Sequence, residues 1–170
     1  MRPFSGRGNR QFRCLVHPPR RPLLAYSIAL DWPPHASAAR HHALHHLVGV
    51  IAGDVEAINA PLIVGGDFNA PPDSDEIRML VGRRPPPRPG FVLFDAWDYA
   101  DQGASGATWS RTNPWAAPNL LPDQRIDYLF TGWPKRGGVG SIVHAKTTGH
   151  QAHADLFASD HYAVVATVRY

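Results

Sequence analysis

Between Ala38 and Asn59 the apolar residues Leu44, Leu47, Val48, Ile51, Val55 and Ile58 recur at spacings of three and four, which places them on one face of a helix. Short apolar runs flank it. Leu23 to Leu30 is apolar apart from Ser27 and ends at Asp31-Trp32-Pro33-Pro34, where two prolines prevent both ladder pairing and helix continuation. Pro61 stops the helix, and Leu62 to Val64 runs as a buried strand into Gly65-Gly66-Asp67-Phe68-Asn69. Asp73 or Ser74 can then cap a short helix that reaches Leu80 and closes at Gly82.

Beyond that point the pattern reads as strands: Phe91 to Phe94, Thr108 to Ser110, Arg125 to Phe130, Ser141 to Ala145 and His161 to Tyr170. The last is apolar on both faces, through Tyr162, Val164, Ala166 and Val168 on one and Ala163 and Val165 on the other. Such a strand is expected inside a layered structure, not at its edge. Helices and strands interleave first and strands dominate later, so the expected class is α/β, with helices covering one face of a sheet.

The 170 residues, 44% of them apolar, suffice for one domain with a hydrophobic core. The net charge of +3 is concentrated early, in Arg2, Arg7, Arg10, Arg13, Arg20 and Arg21, so residues 1–22 read as a basic arm and residues 23–170 as the domain. The single cysteine, Cys14, excludes an internal disulfide and any cysteine-based zinc module. No apolar run approaches the roughly 18 to 20 residues that span a bilayer, and the start lacks a secretory pattern; a soluble, cytoplasmic chain is the expectation.

Three segments end hydrophobic strands with acidic, amide or imidazole groups: Gly66-Asp67-Phe68-Asn69, Arg125-Ile126-Asp127-Tyr128 and Ser159-Asp160-His161. Strand ends are where sheet proteins collect their sites. Asp67 and Asn69, two positions apart, point the same way in extended backbone, where a carboxylate and an amide can orient a water and hold a phosphoryl oxygen; an Asx-type turn accounts for the pair equally well. Asp127, among apolar neighbours, requires a partner, for which Arg125 and His161 are the candidates. An aspartate bonded to an imidazole fixes its tautomer and raises its pKa, so that the histidine carries charge near neutral pH.

The order of these motifs, with Leu30-Asp31-Trp32 and Arg40 upstream, resembles the endonuclease/exonuclease/phosphatase family, which includes DNase I-like nucleases, sphingomyelinases and inositol phosphatases. The resemblance covers Leu23 to Tyr170 and implies part of a DNase I-like four-layer α/β sandwich, with mostly antiparallel strands and helices on the outer face. It implies divalent-metal-dependent hydrolysis of a phosphoester, with Mg2+ or Mn2+ as cofactor and a nucleic acid or a phospholipid headgroup among the candidate substrates. In that reading Asp67 orients or deprotonates the attacking water, and Asn69 binds the scissile phosphate. His161 contacts the phosphate and stabilises developing charge, Asp127 orients His161, and Asp160 is a metal-side carboxylate.

The sequence departs from the family pattern in two places. Family members carry an asparagine on their first strand and a metal-binding glutamate soon after, and nothing before Leu23 matches either. The only glutamates are Glu56 and Glu76, and neither is placed to substitute. Where the family usually has a second histidine, this chain has Ala29. The expected consequences are an uncovered sheet face that favours self-association, and, as the alternative function, a non-catalytic binding domain. His41, His42, His45 and His46 form two i, i+4 pairs with chelating spacing, better read as a solvated face. Trp109 and Trp115 have the chemistry to stack on bases, though packing is the plainer account.

Overall fold

A computed structural model describes residues 10–16, 22–101 and 103–170. Its strands are β1 (Arg10–Val16), β2 (Leu23–Ala29), β3 (Leu62–Asp67), β4 (Phe94–Asp95), β5 (Asp127–Thr131), β6 (Ile142–Thr148) and β7 (Ala163–Val168). The α-helices are α1 (Ser37–Ile58) and α2 (Asp75–Leu80). Five strands form one sheet in the order β1-β2-β3-β5-β4, and β6 and β7 form a second, two-stranded sheet. Among the described strands only β2 and β3 pair in parallel, as they must when a long helix carries the chain back from one to the other; the other strand pairs are antiparallel.

The predicted helical stripe is the face that α1 buries. Leu44, Leu47, Val48 and Ile51 pack with Leu24, Tyr26 and Ile28 of β2, Val64 of β3, and Phe130 of β5. Each such side chain contributes roughly 1.5–3 kcal/mol of burial. Asn59, not Pro61, ends the helix: it adopts the left-handed conformation (φ 50°) and returns its N–H to the Val55 carbonyl. At α2 the Ser74 hydroxyl caps the Ile77 N–H.

Beneath the site lies an aromatic cluster. The Phe68 ring meets Tyr128 and Phe130 edge-on, with centroids 5.5 and 5.3 Å away, and Tyr128 fixes the loop after β3 by donating its hydroxyl to the Ala70 carbonyl at 2.7 Å. Gly66 is required by packing, since a Cβ at its φ of 138° would stand 1.9 Å from the Ile28 carbonyl oxygen.

Four expectations change. Arg10–Val16, inside the segment read as a basic arm, forms a strand paired with β2 along its length; residues 1–9 and 17–21 lie outside the described residues. The strand expected at Phe91 to Phe94 shrinks to Phe94–Asp95, because the Leu93 N–H bonds the Leu80 carbonyl at the end of α2. Thr108 to Ser110 forms isolated bridges, Trp109 meeting both Gln124 and His161. Finally, β7 is not interior: it pairs with β6 alone, and Ala163, Val165 and Thr167 are exposed, since among the described residues nothing packs over that face.

Candidate active site

The sheet register brings the first two motifs together. β3 and β5 run antiparallel with Asp67 directly opposite Asp127, a like-charged pair that destabilises a ladder unless its field is compensated. His161 supplies part of that compensation, its Nδ1 lying 2.8 Å from Asp127 Oδ2. The partner of Asp127 is therefore the histidine. Arg125 turns away to Asp95, at 2.8 Å, with its guanidinium over the Tyr128 ring.

Asp67 and Asn69 are locked to each other. Asp67 Oδ1 accepts the Asn69 backbone N–H and Oδ2 accepts the Asn69 side-chain amide, both at 2.8 Å. The amide also donates to the Leu30 carbonyl at 3.0 Å. The Asx-type turn and the paired polar groups are thus the same arrangement, with Asn69 in the left-handed region (φ 48°), which asparagine tolerates better than most residues.

Burial first, and then the Asp127 charge, push the Asp67 carboxyl up to about 6. The hydrogen bond that His161 donates to Asp127 raises the imidazole above its ordinary value, against an opposing effect of burial. Asp67 thus becomes ionised while His161 still holds its proton, so one fold presents a base beside an acid.

The cleft over these groups has a volume of about 470 Å3 and is lined by Asp67, Asn69, Asp160 and His161 together with Trp32, Trp109 and other largely apolar residues. Donor atoms of Asp67, Asp127 and His161 all lie within 4.8 Å of one another, the group of three metal-capable side chains found among the described residues. With His161 Nδ1 engaged by Asp127, carboxylate oxygens are what the cluster offers, and they fit a hard divalent cation that offsets the Asp67–Asp127 repulsion. Asp160 lines the same cleft but stands outside that cluster. The histidine pairs of α1 are not part of it either.

Several residues that build the site carry no sequence signal for the contacts they make there. Thr108, fully buried, accepts the Ile126 and Asp127 backbone N–H groups on its hydroxyl, both at 3.1 Å. Buried Asn113 donates to the Ser159 carbonyl at 2.9 Å and so anchors the Ser159-Asp160-His161 segment. The Trp109 ring meets the His161 imidazole edge-on at 5.1 Å. Asn113 lies in a polar, turn-rich stretch without periodicity, and for Thr108 and Trp109 the short strand reading gives no hint of these partners, which only the three-dimensional contacts reveal. Glu56 pairs with Arg88. Glu76 pairs with Arg40: burial would raise its carboxyl, but its own backbone N–H, Ser37 and Arg40 outweigh that and hold it low.

The model of the endonuclease/exonuclease/phosphatase family matches residues 2–161. The chain belongs to that family, and its fold is the DNase I-like one. Among solved structures, D. rerio TDP2 complexed with single-strand DNA product superposes with a TM-score of 0.76 at 20% identity, covering 95% of this chain and 62% of that one. Truncated Caenorhabditis elegans TDP2 gives a TM-score of 0.69 at 18% identity, covering 98% and 62%. Bacteroides thetaiotaomicron mannosyl-6-phosphatase gives 0.65 at 18% identity, covering 95% and 57%. The chain thus spans less than two thirds of the length of each. No curated protein matches the sequence.

Proposed function

We propose that this chain hydrolyses a phosphoester by in-line attack of water, with a divalent cation. The observation that carries the reading is the convergence of the Asp67–Asn69 pair and the Asp127–His161 pair on one cleft. Asp67, ionised above about pH 6, orients the water and accepts its proton, while the Asn69 amide holds Asp67 in place with one N–H and reaches a phosphoryl oxygen with the other by releasing the Leu30 carbonyl. His161, protonated through Asp127, offers its Nε2–H to the charge developing on phosphorus-bound oxygen. Asp160 and the neighbouring carboxylates would hold Mg2+ or Mn2+, which would supply charge neutralisation at the phosphoryl oxygens and the leaving group. Among the described residues no helix is long and apolar enough to cross a membrane; the open face of the β6–β7 sheet is the surface through which self-association would proceed.

A second reading, a binding domain without turnover, is favoured by the two glutamates, since both are spent on arginines outside the acidic cluster. Hydrolysis of an activated phosphodiester separates the two. Turnover that needs Mg2+, stops with chelator and is lost in His161→Ala supports the hydrolase; a folded chain that binds phosphoester without turning it over supports the binding domain.

A further inference from the structure

The loop between β2 and α1 holds a tryptophan at the mouth of the cleft. Trp32 is 71% exposed and lines the cleft alongside Asp67 and His161. Leaving so large an apolar ring in water is unfavourable, and loops usually let such a side chain fold back; here the backbone is held from behind. Arg40, 4% exposed, donates to the Asp31 carbonyl at 3.1 Å, to the Pro33 carbonyl at 2.9 Å and to the Pro34 carbonyl at 3.4 Å. Its Nε is neutralised by buried Glu76 at 2.9 Å. With two prolines adding stiffness, the loop is rigid before any ligand arrives, which lowers the entropy lost on binding.

Leu121, Ile126 and Trp109 also line the cleft, and next to Leu121 stands Leu120, 85% exposed and in the left-handed region (φ 56°), a conformation leucine rarely adopts. Away from Asp67, Asn69, Asp160 and His161, the cleft offers few hydrogen-bonding side chains: Gln124, the indole N–H groups of Trp32 and Trp109, and Arg40, which is already engaged. A sugar rich in hydroxyls needs many convergent polar partners, whereas a flat heteroaromatic ring needs a platform and few hydrogen bonds.

We propose that Trp32 is a specificity-determining platform on which an unpaired nucleobase stacks, so that the preferred substrate is a nucleotidyl phosphoester. The proposal rests on the hydrolase reading above and adds the chemical class of the substrate. Arg40 acts as a positioning residue for the platform.

The test compares two esters with one leaving group, p-nitrophenyl thymidine phosphate and p-nitrophenyl methyl phosphate, in the presence of Mg2+. Trp32→Ala, whose side chain is too exposed to matter for folding, raises KM for the thymidine ester about tenfold, in line with the stacking contribution of one base, and changes kcat and the methyl ester little. Trp32→Phe restores most of the difference. Equal losses on both esters would put the leaving group on Trp32 and overturn the assignment, as would an unchanged KM for the thymidine ester. If the wild-type chain turns over neither ester, the hydrolase reading fails and calorimetry with thymidine monophosphate decides this proposal by itself: binding weakened about tenfold in Trp32→Ala supports it, and equal or absent binding overturns it.

Discussion

The two described sheets are both built largely from apolar strand residues and end in different environments. β2 draws on leucine, alanine, tyrosine and isoleucine and β6–β7 on valine, alanine, isoleucine and threonine, yet Leu24, Tyr26 and Ile28 disappear beneath α1 while Val143 and Val165 stand 56% and 43% exposed. Strand sequence selects a pleated, half-buried environment, and what covers the second face is decided by elements elsewhere in the chain. The candidate cluster sits where the two regions touch: Asp67 and Asp127 come from the covered sheet, and His161 comes from the segment that leads into β7.

That contrast can be broken at several points. The largest expected effect is at the junction. His161→Ala should lower phosphodiester turnover by about 10²–10⁴-fold, the usual worth of a general acid, while the denaturation midpoint moves little; a loss of folding instead would mean that the imidazole is a structural link between the sheets. Next, Phe130→Ala in the covered sheet should cost about 3–5 kcal/mol in urea denaturation, because its ring is fully buried against Phe68 and Tyr128.

A smaller effect is expected from pH. Turnover should rise about tenfold per unit below about pH 6 as Asp67 ionises, and fall again above the raised value of His161. Asp127→Asn should move both limbs to lower pH, because Asp127 raises both groups; a profile in which only one limb moves would separate the two sites. For stability the signs follow from linkage. Asp67 is raised on folding, so its ionisation opposes the fold and stability declines as pH climbs from about 4 through about 6. His161 is also raised, so the stability it contributes is complete below about pH 6.5 and disappears as pH passes its folded value. Denaturation midpoints between pH 4 and 8 in chelator read both. The smallest effect belongs to the open sheet: Val165→Thr should stay within about 0.5 kcal/mol, and a larger cost would show that its exposed face is covered in solution, as self-association would do.

Much of the first half was legible. The stripe from Leu44 to Ile58 marked α1 and its buried face, and Asp73 or Ser74 at one end and Gly82 at the other marked the limits of the short helix, of which the structure uses Ser74 as the cap, because capping and periodicity are local. The partner of Asp127 was not legible beyond a choice of two. Arg125 is two residues away in sequence, but its guanidinium points to Asp95 on β4, so a contact spanning 34 residues wins over a near neighbour. β1 was hidden by its arginines, which read as a solvated arm although an edge strand tolerates charge on an exposed face.

By itself the sequence determined the class of fold, the strand–helix–strand unit at its centre and the three segments that supply the candidate site, since each is written in periodicity, turn residues and short motifs. The tertiary structure alone decided that Asp67 and Asp127 stand face to face, that His161 bridges to one of them, that Thr108 and Asn113 hold the segments in place, and that β7 lies open on one side. Those outcomes depend on strand register and on which surfaces meet, free-energy differences shared among residues far apart in the chain, and no local pattern records them.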